Sequence, residues 1–275
     1  MPRYERLTTW DEVRALQVGK PADDEGPHAI YRGQVNRRWR LLPSLTRVLH
    51  DAEPDNPKDK IQVRKAVAAE AASMRVFQIA HPWKDELREW IVWWAMAQQF
   101  FGSTRSLDWS SEVGVALYFA VSGAPTLDGA LFVLKQRALR PNGNPALIRV
   151  YNEAWPARGW EARREAGWKP MQQCFRSGRP RAVHVCQTIG TPARLATQSG
   201  YFTSCTNILE DHQAVIDEED YPRDTLTKYV IPRESKRRLL EEATERGFSG
   251  GALFQDSTER AGYQQRDALV RHLGR

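Results

Sequence analysis

Residues 95–120, AMAQQFFGSTRSLDWSSEVGVALYFA, set the strongest constraint on how this chain folds. A helical pattern brings Gln98 and Gln99 to its end, and Gly102, Ser103 and Thr104 then make a turn. Arg105 and Asp108 follow, three apart, beside Trp109. Residues 113–120 form a second, apolar helix that returns the chain to the core. So many polar groups, held between two rigid apolar segments, form one wall of an expected site.

The elements before this stretch are short. Residues 8–18 read as a helix with Thr9 as its N-cap and Asp11 and Glu12 in its first turn. A turn-rich link follows, and residues 28–33, HAIYRG, read as a buried strand running into a glycine turn. At the end of that strand Arg32 is placed to grip a phosphate or carboxylate, or to form a structural ion pair. Gly33 lets the backbone turn and a ligand approach. Residues 36–47 are irregular, with Pro43 blocking a continuous helix and Ser44 able to cap a short one. Two helices are expected over 61–80 and 85–101.

Beyond the opening stretch, Ser110 or Ser111 is the expected cap of the 113–120 helix, and 129–134 reads as a buried strand. Residues 140–181 are rich in Pro and Gly and read as an irregular insertion, with one strand expected at 146–151. Strands are expected at 182–186, 226–231 and 250–254, and helices at 234–246 and 258–273. Residues 194–203 form a strand or turn in which Gln198 can both donate to and accept from a ligand amide. The acidic run Asp217–Asp220 reads as a solvated turn.

This order gives an α+β fold: a single mixed-sheet domain with a helical block after the first strand. The division is an N-terminal helix and linker over 1–27 and the main domain over 28–275.

A net charge of +6 favours a nucleotide or another anionic small molecule as partner, with nucleic acid an alternative. Basic clusters at Arg37–Arg40, Arg163–Arg164, Arg179–Arg181 and Lys236–Arg238 could follow phosphates. Three cysteines without a CxxC pair argue against a disulfide framework and a cysteine-built zinc site. No metal is expected. No apolar run reaches the about 18 residues a membrane helix needs, and the opening residues lack a signal peptide's apolar core. The expected setting is reducing and cytoplasmic. No P-loop, GxGxxG, HExxH or GxSxG motif occurs.

Tyr31-Arg32-Gly33, with Trp39, Leu42-Pro43-Ser44-Leu45 and Arg47, resembles the first signature of the FRG domain family, named for its Phe/Tyr-Arg-Gly motif. Ala97-Gln98-Gln99, Gly102, Thr104-Arg105, Leu107-Asp108-Trp109-Ser110 and the 116–120 segment ALYFA are similar to its second signature, roughly AQHxGxPTRLLDWTxxPxxALYFA. Arg194, Gln198, Gly200 and Phe202 resemble a third block. Gln99 stands where the family usually has His, Ser103 where it has Pro, and Gln255 where it tends to have Pro. The resemblance spans about residues 28–260 and implies a prokaryotic or phage protein with a role in defence or toxicity.

Arginine-targeting ADP-ribosyltransferases likewise end an early strand in Tyr-Arg-Gly, and that Arg holds NAD. The analogy implies an ADP-ribosyltransferase-like fold and either transferase or NAD-glycohydrolase chemistry with NAD as substrate. Arg32, Asp108 and Gln198 would then be the catalytic set. Tyr31, Arg32, Gly33, Gln98, Thr104, Arg105, Trp109 and Tyr201 would bind the ligand, with Asp108 orienting Arg105 or acting on the ribose. Two other readings stay open: a nucleic-acid-binding protein, and a non-enzymatic ligand- or partner-binding module in which these polar residues are a buried network that fixes the fold.

Overall fold

The computed structural model describes residues 5–18, 29–52, 60–80, 94, 97–98, 103–139, 168–186, 200–219 and 221–253. Its chain order is α1 (Trp10–Arg14), β1 (Ala29–Gln34), α2 (Ser44–Ala52), α3 (Lys60–Ala80), β2 (Ser106–Ser110), α4 (Val113–Val121) and β3 (Gly129–Lys135). A 3-10 turn (Gln136–Leu139), α5 (Trp168–Ser177), β4 (Val183–Cys186), β5 (Gly200–Cys205), α6 (His212–Glu218), β6 (Leu226–Ile231), α7 (Arg233–Glu245) and α8 (Gly250–Leu253) follow. The fold is mixed α+β, and the six strands form one open sheet in the order β4-β5-β2-β1-β3-β6. Every named strand pair is antiparallel.

Side chains alternate across the sheet, and the alternation separates two cores. Ala29 and Tyr31 of β1 and Leu131 of β3 pack with Val113, Ala116, Leu117 and Ala120 of α4 and with Leu239 and Ala243 of α7. Leu7 and Val13 join this first core, so α1 packs on the same layer as α4 and α7. Ile30 of β1 packs on the opposite face with Leu107, Trp109, Phe132, Leu134, Val183, Tyr201 and Val215. Arg32 pairs with Phe132 in register, which places Arg32 on this second face.

Local chemistry explains the helix ends. Thr9 and Glu12 form a reciprocal capping box at α1. At α4 the cap differs from the expected Ser110 or Ser111: Glu112 is the N-cap and makes no side-chain cap bond. Gln17 supplies the acceptor instead, taking the Val113 N–H on its Oε1 at 2.8 Å and returning Nε2–H to the Ser111 carbonyl at 3.0 Å. The Ser110 hydroxyl accepts from the Glu112 N–H.

Two expectations are corrected. Residues 106–110 form a strand, β2, where the sequence suggested only a polar passage between two helices. Leu107 and Trp109 fill the second core while Asp108 between them stays exposed, a period-2 pattern that a five-residue strand satisfies. Residues 250–253 form a helical turn rather than a strand. Ser249 drives it, its carbonyl accepting from the Leu253 N–H and its hydroxyl from the Ala252 N–H. Within the expected insertion, 168–177 is the helix α5. The acidic run likewise begins inside a helix, α6, capped by Asp211. The strand expected at 146–151, the helix expected at 258–273 and most of the helix expected at 85–101 lie outside the described residues.

Candidate functional site

β1 and β3 stay in register over six pairs, Ala29↔Lys135 to Gln34↔Ala130. β1 and β2 pair at one position, Tyr31↔Ser110. Beyond that pair the two central strands part, and the Arg32 side chain enters the gap. Its Nη1 donates to the Asp108 main-chain carbonyl at 2.5 Å. Its Nε is buried and has no hydrogen-bond partner among the described residues. Burial lowers the Arg32 pKa, the Asp108 charge opposes this, and the nearby Arg47 charge adds to it. A guanidinium does not lose its proton at accessible pH. The shift therefore means a cation held with less solvation than it would have in water.

Asp108 is fixed from the other side. The Thr104 hydroxyl donates to Gln98 Oε1, and Gln98 Nε2 donates to Asp108 Oδ2 at 2.8 Å. Those two bonds set the orientation of the amide. Thr104 is tied to the start of α2: its N–H meets the Ser44 hydroxyl at 3.2 Å and its carbonyl accepts from the Leu45 N–H at 3.1 Å. A chain of bonds therefore runs from α2 through Thr104 and Gln98 to an exposed carboxylate. Thr104 and Gln98 orient Asp108, and the Gln98 amide already uses both its oxygen and its nitrogen.

Arg105 is not part of this site. It is 1% exposed and pairs with Glu70 of α3, Nε to Oε1 at 2.8 Å and Nη2 to Oε2. Its Nη1 donates to the carbonyls of Phe175 and Thr206 at 3.0 and 3.2 Å, and its guanidinium lies over the Trp94 and Phe175 rings. This arginine, bidentate on Glu70 with four of its five N–H groups engaged, ties α3 and α5 to the end of β5. The expected Arg105–Asp108 pairing is not formed.

Four other expected ligand-binding residues are taken up by packing. Tyr31 faces the first core, 0% exposed, with its hydroxyl donating to the Leu16 carbonyl and accepting from the Val18 N–H. Burial raises its pKa. Gly33 faces α4, where an added Cβ would lie 1.8 Å from the Ala116 carbonyl oxygen, so its missing side chain admits a helix rather than a ligand. Tyr201 is buried opposite Trp109, and burial raises its pKa too. Trp109 is itself buried, its indole N–H donating to Thr203 Oγ1 at 2.7 Å. Gln198 lies outside the described residues.

The structure adds residues that the sequence reading did not nominate. Thr203 Oγ1 lies 3.0 Å from His212 Nδ1, and His212 Nε2 is buried without a well-aligned partner among the described residues. Burial pushes the His212 pKa down to about 3; the Arg32 charge adds to this, and a hydrogen bond from the ring to the Arg105 backbone opposes it. Gln34, two residues beyond Arg32, buries an unpartnered Oε1 while its Nε2 donates to the Arg40 carbonyl at 3.4 Å. Glu70 carried a sequence signal, a carboxylate at helical spacing from Val63 and Val67. His212 carried none beyond its type.

Many of the basic residues are engaged. Arg37 pairs with Asp128 and Arg40 with Asp211. Arg181 binds Glu210, Glu218 and Glu219 together, so part of the acidic run has a structural partner. Lys236 is buried and donates to the carbonyls of Val35, Gly123 and Ala124. Among the described residues no group of three or more His, Cys, Asp or Glu could hold a metal ion, and no helix is long and apolar enough to cross a membrane.

These features define a mixed α+β protein on an antiparallel sheet, with an arginine-centred polar cluster beside its two central strands. The FRG domain family model matches residues 27–128, and the chain carries an FRG domain there. That match takes in β1, β2 and α4, while β3 to β6 complete the sheet from the residues that follow. No curated protein and no solved structure matches the chain.

Proposed function

We propose that this FRG-domain protein binds an anionic, nucleotide-like small molecule at Arg32, with NAD as the ligand of choice. One contrast carries the reading. Arg105, from the second family signature, spends four of its five N–H groups on Glu70 and two carbonyls. Among the described residues Arg32 makes one bond, to a carbonyl, and keeps a buried donor unmatched. A desolvated cation with spare donors favours an incoming phosphate.

Asp108 is the carboxylate to act on the ribose. It is exposed, beside Arg32, and oriented by Gln98. In an NAD-glycohydrolase reaction the bond from C1′ to the nicotinamide nitrogen breaks, and its electron pair leaves with nicotinamide. Asp108 stabilises the positive charge left at C1′. A water oxygen then bonds to C1′ and its proton passes to solvent. Gln198 enters this account from the sequence alone. Such a reaction would suit a defence or toxicity role, since it removes a shared cofactor.

The test is nicotinamide release from NAD by the full chain and by Asp108→Asn. The reading expects release by the wild type and at least a 100-fold loss in the variant. Release by Asp108→Asn at the wild-type rate would exclude Asp108.

A second reading, binding without chemistry, draws on the burial of the family signature. Arg105, Trp109, Ala116, Leu117 and Ala120 all lie inside the protein. It expects ligand binding at Arg32 with no nicotinamide released.

A further inference from the structure

Asp108 is held at two points, and together they leave one of its oxygens free. Its main-chain carbonyl accepts from Arg32 Nη1 at 2.5 Å, and its Oδ2 accepts from Gln98 Nε2 at 2.8 Å. Oδ1 accepts no hydrogen bond among the described residues. Leu107 and Trp109, buried on either side, fix the main chain of Asp108 in β2 while its side chain meets solvent. An exposed aspartate on a strand otherwise exchanges between staggered rotamers, so the bond to Gln98 is what selects one.

The direction of each bond follows from the carboxylate. An ionised carboxylate only accepts, so the Gln98 amide turns its Nε2 to Asp108 and its Oε1 to Thr104. The Thr104 hydroxyl then donates to Oε1. Its other partner is the Ser106 N–H at 3.2 Å, which only donates and leaves the hydroxyl proton for Gln98. Reversing the amide would set Oε1 against Oδ2, two acceptors 2.8 Å apart.

Thr104 is a fixed point for this chain of bonds. It is 1% exposed, its N–H donates to Ser44 Oγ at 3.2 Å, and its carbonyl accepts from the Leu45 N–H at 3.1 Å. Those two backbone bonds do not depend on its side chain. The hydroxyl adds the contacts to Ser106 and Gln98 alone.

We propose that Thr104 is a positioning residue that acts through Gln98, aiming the amide so that Oδ2 of Asp108 is occupied and Oδ1 is the oxygen presented to C1′ of the ligand. This rests on the reading of Asp108 as the carboxylate that acts on the ribose, and it names the oxygen that does so. Gln98 and Thr104 then make no ligand contact, in place of the binding roles that the motif around them suggests. The bond from C1′ to the nicotinamide nitrogen breaks and its electron pair leaves with nicotinamide, while Oδ1 stabilises the charge at C1′ without bonding to it. The water oxygen bonds to C1′ and its proton passes to solvent. A displacement of about 1 Å at such a group costs roughly 100-fold in rate.

Steady-state nicotinamide release by the full chain tests this, with wild type, Thr104→Val, Thr104→Ser, Gln98→Leu and the Thr104→Val, Gln98→Leu double variant. Thr104→Val and Gln98→Leu should each lose at least about tenfold in kcat with KM within about twofold, because Arg32 and its bond to the Asp108 carbonyl are untouched. Thr104→Ser keeps the hydroxyl and should recover most of the rate. The double variant should be no slower than Gln98→Leu, since Thr104 acts only through that amide. The Asp108 Hα–Hβ couplings give a readout that needs no turnover: one χ1 rotamer in wild type and Thr104→Ser, and averaging in Thr104→Val and Gln98→Leu. Thr104→Val also strands the Ser106 N–H, so if it does not fold, Gln98→Leu carries both readouts.

Wild-type kcat in folded Gln98→Leu or Thr104→Val would overturn the positioning role and leave Asp108 standing. So would a double variant slowed by the product of the two single losses, a Thr104→Val loss that Thr104→Ser does not restore, or an averaged Asp108 rotamer in the wild type. No nicotinamide release by the wild type would overturn the Asp108 reading and the Oδ1 assignment together.

Discussion

Arg32 reaches the main-chain carbonyl of Asp108, not its carboxylate, and the bond of 2.5 Å spans the gap where β1 and β2 part. The strand pair at Tyr31↔Ser110 holds the gap closed at one end. The carboxylate of Asp108 belongs to a separate chain of bonds through Gln98 and Thr104 to α2. Cation and carboxylate are therefore fixed independently and do not neutralise each other through direct contact. That arrangement is the physical basis for treating this place as a site and the Arg105–Glu70 pair as structure.

Removing the countercharge of Arg105 tests the second half of that distinction. Glu70→Gln leaves a buried guanidinium without its carboxylate, and breaking one partner of a buried pair costs about 3–5 kcal/mol. Chemical denaturation should show that loss. Ligand affinity of the folded fraction should stay within about twofold of wild type by calorimetry. A stability change below about 1 kcal/mol would mean that Arg105 is not locked by Glu70.

Gly33 makes a sharper structural prediction. A Cβ there would lie 1.8 Å from the Ala116 carbonyl oxygen and 2.6 Å from the Ala120 nitrogen, both backbone atoms of α4. Backbone cannot rotate aside as a side chain would, so Gly33→Ala must move α4 off the sheet. The expected cost is about 3 kcal/mol or more, at the upper end for overpacking. A melting temperature within 2 °C of wild type, roughly the effect of a sub-kilocalorie change in a chain this size, would show that α4 does not press on β1 as described.

Stability should also fall with acid in a defined window. His184 is pushed down to about 4 by burial, and His212 to about 3 by burial and the Arg32 charge, with the Arg105 backbone opposing. Both folded-state values lie below the unfolded value of about 6.5, so in that window the unfolded chain binds more protons. The contribution of the neutral rings is complete above about pH 6.5 and is lost as pH falls toward the folded values. Each ring removes about 1.4 kcal/mol per pH unit inside the window. Urea unfolding between pH 6.5 and 5, above the ordinary carboxylate range, should show the decline. A flat profile there would mean that the rings are not buried and neutral.

The fold was readable in the sequence where period and punctuation agreed. Apolar runs marked β3 and β6, and Thr9 with Glu12 marked α1. β2 was hidden because its alternating Leu107, Asp108 and Trp109 span only five residues and follow directly on a Gly-Ser-Thr turn and a charged Arg105. The site was half readable. Arg32 and Asp108 stood out through their motifs, but those motifs gave no reason to separate Arg32 from Arg105. That difference is made by Glu70, 35 residues away, and by carbonyls of Phe175 and Thr206, which only the folded chain brings together. His212 and Thr203 were silent for the same reason: a hydrogen bond between β5 and α6 leaves no pattern in sequence. Tyr31 and Gly33 sit in the motif beside Arg32, yet strand alternation and the press of α4 give them structural work.

The most direct test of the central claim is calorimetric titration of NAD into the full chain and into Arg32→Ala, with circular dichroism confirming that both are folded. The account predicts a saturable heat for the wild type and at least a tenfold weaker affinity for Arg32→Ala, the loss expected for a charge-assisted hydrogen bond worth about 1.5–3 kcal/mol. Equal NAD affinity in the two proteins, or no saturable heat with the wild type, would contradict it.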